Sequence, residues 1–179
     1  MTEETRAIWA IDPIHTRIRF EAKYLMLTTV SGWFREIEGT VETDSGDFSN
    51  STIRLTIYTN SLFTGIDERD NHLRSPDFFD AKKYPTIQFQ SSSVMVDGAK
   101  VNIRGMLSIK DTVQEMELTA QYLGQVKAPL GNTKAAFEMD MVFDRKDFNI
   151  TWNQFFDKQG ILVSDWVQVH CDVQLLKLN

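Results

Sequence analysis

A single cysteine, Cys171, in a chain of 179 residues excludes an intrachain disulfide, and three histidines leave few groups for a metal centre or a proton relay. Those histidines, His15, His72 and His170, are scattered without the spacing of a zinc motif, so neither a metal site nor a cofactor is expected. Nine glycines and four prolines nowhere form G-x-G-x-x-G, a P-loop, G-x-S-x-G or H-E-x-x-H. No apolar run approaches the ~18 residues that a membrane span needs. Basic charge is short as well: 19 Lys and Arg stand against 25 Asp and Glu, a net charge of −6 without any basic run. Nucleic acid and anionic membrane surfaces are therefore not the expected partners. The start, MTEETRAIWAIDP, has neither a basic n-region nor an apolar h-region, which makes the cytoplasm the simplest compartment to expect.

What the chain has is alternation with period two, the mark of strands with one buried and one wet face. Ile18, Phe20 and Ala22 alternate with Arg17, Arg19, Glu21 and Lys23; Ile37, Gly39 and Val41 alternate with Glu36, Glu38, Thr40 and Glu42. The same parity runs through 53–57, 87–89, 101–109, 116–122, 135–143 and 167–175, about eight strands in all. Short turns such as Asp44–Asp47 and Pro129–Asn132 join them, and no long helical pattern supplies the crossovers of a parallel sheet. The expectation is a single all-β domain spanning 1–179, an antiparallel barrel of about eight strands, with a two-sheet sandwich as the other packing of the same pattern.

Residues 62–80 break the rhythm. Thr64-Gly65-Ile66-Asp67 fits a helix-capping pattern, Ile66 and Leu73 are spaced to share a face, and Asp70 precedes Arg74 by four. Ser75-Pro76 offers a second helix start before Phe78 and Phe79. Two short helices are thus expected, closing one end of the barrel, with Asp67, Arg69, Asp70, His72, Leu73, Arg74, Phe78 and Phe79 as structural members of that lid. His72 among so many charges also invites a general acid–base reading. On a helix, however, residues 70 and 72 point about 200° apart and cannot form a dyad.

The barrel interior is the remaining candidate. An eight-stranded barrel either fills with side chains or holds one small ligand. Ala22, Gly39, Gly105, Ala120 and Ala135 fall on the inward parity and are expected to leave volume among Ile, Val, Leu, Phe and Met; a tapered, filled core is the competing expectation. If open, the tube would receive an apolar chain along Ile18, Phe20, Ile57, Phe89, Leu107, Ile109, Phe137 and Met139. Trp152, like Trp33 and Trp166, is a candidate for its mouth.

The segments WAIDPIHTRIRFEAKYL, TVSGWFREIEGTV, GIDERDNHLRSPDFFDAKKYPTIQFQSSSV, VNIRGMLSIKDTVQEMEL, FDRKDFNITWN and GILVSDWVQVHCDVQL closely resemble the YceI-like family. The resemblance covers Trp9 to Leu176, and RDNHLRSPDFFD followed by YPTI is its most specific part. It implies a lipocalin-like barrel whose pocket holds an amphiphilic lipid, such as a polyisoprenoid, an isoprenoid quinone or a fatty-acid amide. It also implies binding, transport or storage rather than catalysis, with homodimers and periplasmic proteins among the members. The chain departs from the family pattern at Lys110-Asp111 and at Ser164-Asp165-Trp166, both expected in loops. An isoprenoid-modifying enzyme using His72 and a stress-linked interaction protein with a filled barrel are the alternatives.

Overall fold

Alternating faces force the strands to bury one side together, and in a computed structural model describing residues 6–44, 46–156 and 160–179 they do so as a closed barrel. In chain order the elements are β1 (Ala7–Ile11), β2 (Arg17–Tyr24), β3 (Thr28–Phe34), β4 (Ile37–Thr43), β5 (Thr52–Tyr58), β6 (Leu62–Phe63), α1 (Asp67–Arg74), β7 (Thr86–Asp97), β8 (Lys100–Ile109), β9 (Thr112–Lys127), β10 (Thr133–Asp144), β11 (Phe155–Phe156), β12 (Gly160–Ile161) and β13 (Trp166–Lys177). The ring runs β1-β4-β5-β7-β8-β9-β10-β13 and closes from β13 back to β1, every pairing antiparallel. Beyond β13 the sheet continues through β2, β3 and β6, while β11 and β12 form a separate two-stranded pair.

Strands β1 and β2 share one position in the wall. Both lie antiparallel to β13, β1 against Leu175–Lys177 and β2 against Gln168–Asp172. Asp12–Thr16 forms the joint between them, and Asp12 organises it. Its buried carboxylate accepts from the Ile14 N–H at 3.0 Å and from Gln174 Nε2 at 3.0 Å, and lies 2.7 Å from His15 Nδ1. Asp12 thereby satisfies donors that a bent strand would orphan.

Residues 46–51 and 59–85 flank β5 on opposite sides, so they cover opposite ends of the barrel. At the first end Phe48 forms a plug, with its ring 5.3 Å from Trp9 and 5.0 Å from Phe137. At the second end lie the helical insert, residues 145–154 and 162–165 of the connection from β10 to β13, and the tip of the β2–β3 hairpin. No helix among the described residues is long and apolar enough to cross a membrane.

Two of the glycines expected to leave space do not. A Cβ on Gly105 would stand 2.5 Å from both the Phe89 ring and the Gln90 carbonyl oxygen, and one on Gly39 would stand 2.8 Å from the Ile11 side chain. Gly105 therefore makes room for Phe89, beside a register shift between Ser91 and Ser93 in the facing strand.

Candidate functional site

A cavity of about 290 Å³ lies within the barrel, and among the described residues no polar atom faces into it. The cavity excludes the filled-barrel packing. Ile18, Phe20, Ile57, Phe89, Leu107, Ile109, Phe137 and Met139 all border it, as inward parity placed them. Of the small inward residues, Ala22 and Ala120 line it, whereas Ala135 is packed behind it at 1% exposure. Along β13 the wall runs from Val167 to Leu175, eight residues apart. At ~3.4 Å per residue and a strand tilt near 40°, that is a tube roughly 20 Å long.

Trp152 does not border this cavity, a correction to the expected mouth residue. Its ring instead packs on the lid, 4.6 Å from His72 and 5.3 Å from Phe78. Trp33 stands on the outer wall beside Phe63 under the Arg17 guanidinium, and Trp166 is 62% exposed. Parity separates faces within a strand but does not follow a chain through loops.

The lid is built differently from the sequence expectation. Helix α1 begins at Asp67, and Thr64 does not cap it. Thr64 donates both its backbone N–H and its hydroxyl to Asp70 Oδ1, and Asp70 is 2% exposed. Asp70 is thus spent on Thr64 rather than on an Arg74 ion pair. Arg74 instead donates to the carbonyls of Asn60 at 3.0 Å and Leu62 at 2.9 Å, fastening the helix to the end of the wall. Arg69 donates to the hydroxyl and the carbonyl of Thr64. Ile66 precedes the helix and is 53% exposed, so it does not share a buried face with Leu73, which lines the cavity.

No second helix follows. Ser75 ends α1 by donating its hydroxyl to the His72 carbonyl at 2.6 Å, and the chain continues as turns through Asp80 at φ 48. Those turns carry Phe78 and Phe79 to the cavity wall. Asp70→Ala is expected to cost about 1–3 kcal/mol, because the half-buried Thr64 donors lose their acceptor. Thermal unfolding would show this as a fall of roughly 3–10 °C.

His72 Nε2 lies 2.8 Å from Asp77 Oδ2, within the lid itself, and the imidazole stands edge-to-face against Phe78 and Trp152. It does not border the cavity. The observation that would motivate His72 catalysis, an imidazole turned towards the bound substrate, is missing from this geometry.

Arg145 carries the other cover. It is 4% exposed and donates to the carbonyls of Ser164 at 3.0 Å, Ile150 at 2.9 Å, Trp152 at 2.8 Å and Val163 at 3.5 Å. Burial lowers its pKa from the ordinary guanidinium value, with Asp165 and Asp144 opposing the shift. The guanidinium fork can reach several carbonyls at once, which straps residues 150–152 to 163–164. Sequence inspection had only one signal for this role, a charged residue at the end of an inward-facing run.

On the outer wall, strand register assembles a group that linear spacing hid. His170 Nδ1 lies 2.6 Å from Asp140 Oδ1, and Nε2 lies 3.2 Å from Asp172 Oδ1 and 3.9 Å from Glu138 Oε1. Glu138, Asp140 and His170 could together present ligand atoms to a cation, yet the carboxylates already surround the imidazole, chiefly through the Asp140 bond. That bond raises the His170 pKa above 6.5 despite partial burial.

A raised folded-state pKa stabilises in full below the unfolded value and is lost as pH rises through the folded one. Wild type should therefore exceed His170→Gln in stability at about pH 5, by less than about 1 kcal/mol for so exposed a cluster, and the gap should close near pH 9. Denaturant unfolding at both pH values measures it.

Comparison with known proteins matches residues 9–175 to the YceI-like domain. A UPF0312 protein of Pectobacterium atrosepticum is 36% identical over 137 residues, 76% of this chain and 71% of that protein. BcnA of Burkholderia cenocepacia superposes with a TM-score of 0.79 at 22% identity, covering 92% of this chain and 98% of that one. A polyisoprenoid binding domain from Saccharophagus degradans gives 0.67 at 16% identity, covering 93% and 97%. The two structural likenesses, at such low identity, concern the fold.

Proposed function

This chain belongs to the YceI-like family, and on that premise we propose that it binds one long-chain amphiphilic lipid, holding the hydrocarbon tail inside the barrel as a carrier or store. The dry cavity carries this reading. With no polar atom of the described residues turned inward, a carboxylate, amide or phosphate drawn into the tube would lose its hydration without a partner. Each CH₂ buried there contributes about 0.8 kcal/mol. The favoured occupant is therefore a plain hydrocarbon chain with its head group at one end, as in a polyisoprenoid, an isoprenoid quinone or a fatty-acid derivative. The polyisoprenoid binding domain of similar fold supports that choice. Binding rather than catalysis is the reading that this predominantly apolar lining supports. Cys171, which borders the cavity, does not change this, because burial pushes its thiol pKa up to about 12.

Native mass spectrometry of gently purified protein tests the proposal. An added lipid mass, or uptake of a labelled isoprenoid by delipidated protein, is the expected result. Homogeneous ligand-free protein that refuses the label would overturn it.

A further inference from the structure

The tip of the β2–β3 hairpin is built against the usual rules. Tyr24 pairs with Thr28, and the turn is closed by the Leu27 N–H donating to the Tyr24 carbonyl at 3.1 Å. Its two central residues, Leu25 and Met26, have φ of 52 and 57. Positive φ at both positions is the type I′ pattern, which ordinarily selects Asn-Gly because a side chain there is strained. Here the strain holds apolar side chains out in water. Met26 is 56% exposed, Leu27 83% and Tyr24 43%, while Trp166 nearby is 62% exposed.

This apolar tip is fastened to the cavity wall. Tyr24 is bridged to Val163, the Leu25 N–H donates to the Leu162 carbonyl at 2.8 Å, and the Ser164 hydroxyl that accepts from the Lys23 N–H donates in turn to the Trp166 carbonyl. Ala22 and Val163, adjoining the tip, line the cavity wall. The opposite end is plugged by Phe48.

We propose that this hairpin tip, with Trp166 at its border, docks on the surface of a lipid bilayer and sets the cavity against the medium that dissolves its cargo. The inference rests on the lipid-binding reading above. A convex tip suits a deformable hydrocarbon layer better than a flat protein partner, and an amphipathic ring such as that of Tyr or Trp sits well where headgroups begin. Among the described residues, the basic groups at the tip and its border are engaged, Lys23 donating to the Thr29 hydroxyl at 2.6 Å and Lys146 lying 3.0 Å from Asp165, so anionic headgroups are not what the tip selects. The partner is an uncharged or zwitterionic bilayer.

Flotation of the full chain with phosphatidylcholine vesicles tests this, together with quenching of tryptophan fluorescence by brominated lipid in wild type and Trp166→Phe. Wild type should float, and Trp166→Phe should remove most of the quenching. Met26→Ser combined with Leu27→Ser should lower vesicle partitioning at least tenfold, since each apolar side chain withdrawn from hydrocarbon removes roughly a factor of ten. Uptake of a labelled isoprenoid from dilute detergent should stay unchanged in that variant.

A second pair, Leu25→Asn with Met26→Gly, should raise the melting temperature by relieving strain while weakening docking. Three results would each overturn docking alone: wild type that does not float, partitioning that the serine variants leave unchanged, or a dimer dissolved by Leu27→Asp. The last would assign the tip to a second copy of the chain. Lost uptake in solution by wild type would instead overturn the cavity reading, so the two failures are distinguishable.

Discussion

Ala120→Phe is expected to lower the uptake of a long hydrocarbon chain at least tenfold while leaving a short-chain probe bound. Ala120 is 5% exposed, borders the cavity near the Phe48 plug, and faces Val101 on one neighbouring strand and Met139 on the other. A phenyl ring there has one open direction, into the cavity. Excluding only two CH₂ groups from the tube would remove about 1.6 kcal/mol, more than a factor of ten in affinity. Overpacking itself costs about 1–3 kcal/mol of stability, which a barrel of this size should tolerate. Titration with isoprenoids of increasing length, beside a melting curve, reads both effects. Equal losses for short and long chains in a fully folded variant would show that the tail does not reach this end.

Arg145→Met should produce the largest loss of stability, about 3 kcal/mol or more, with a fall in melting temperature on the order of 10 °C. Methionine approximates the aliphatic stem but leaves the carbonyls of Ser164, Ile150, Trp152 and Val163 without the donor they share. Leaving one or two of these dry is enough to produce the effect. Arg145→Lys should recover less than half, since an ammonium cannot span carbonyls that the planar fork reaches together. Differential scanning calorimetry of the three proteins checks the order. Arg145→Met within about 0.5 kcal/mol of wild type would mean that water replaces the strap at no cost.

Much of the architecture was legible in the residues because strand parity is local. Ile18, Phe20, Ile57, Phe89, Leu107, Ile109, Phe137 and Met139 were placed on the inner wall by counting alternate positions, and the barrel wall agrees. Closure was harder to read. The strand pattern begins at Ile18, and only the pairing of β1 with both β4 and β13 shows that β1 completes the ring in line with β2.

Reading the lid failed for a related reason. The pattern Thr64-x-x-Asp67 was sound capping chemistry, but the buried Asp70 carboxylate drew both Thr64 donors, and the carbonyls of Asn60 and Leu62 drew Arg74. Local propensity yields where tertiary partners satisfy more buried groups.

The sequence by itself determined antiparallel strands with one apolar face, an insert at 62–80 and a family resemblance along nearly its whole length, and it left a sandwich beside the barrel. Periodicity and turn chemistry act between residues a few positions apart and need no third dimension. Only the tertiary structure decided that Gly39 and Gly105 are filled by Ile11 and Phe89 while Ala22 and Ala120 border open space. It alone showed that Trp152 belongs to the lid, and that Arg145 straps the segment beside it. Whether a small residue leaves a void, or a charge finds its partners, depends on side chains arriving from strands far away in the chain, and their register is set by closing the barrel.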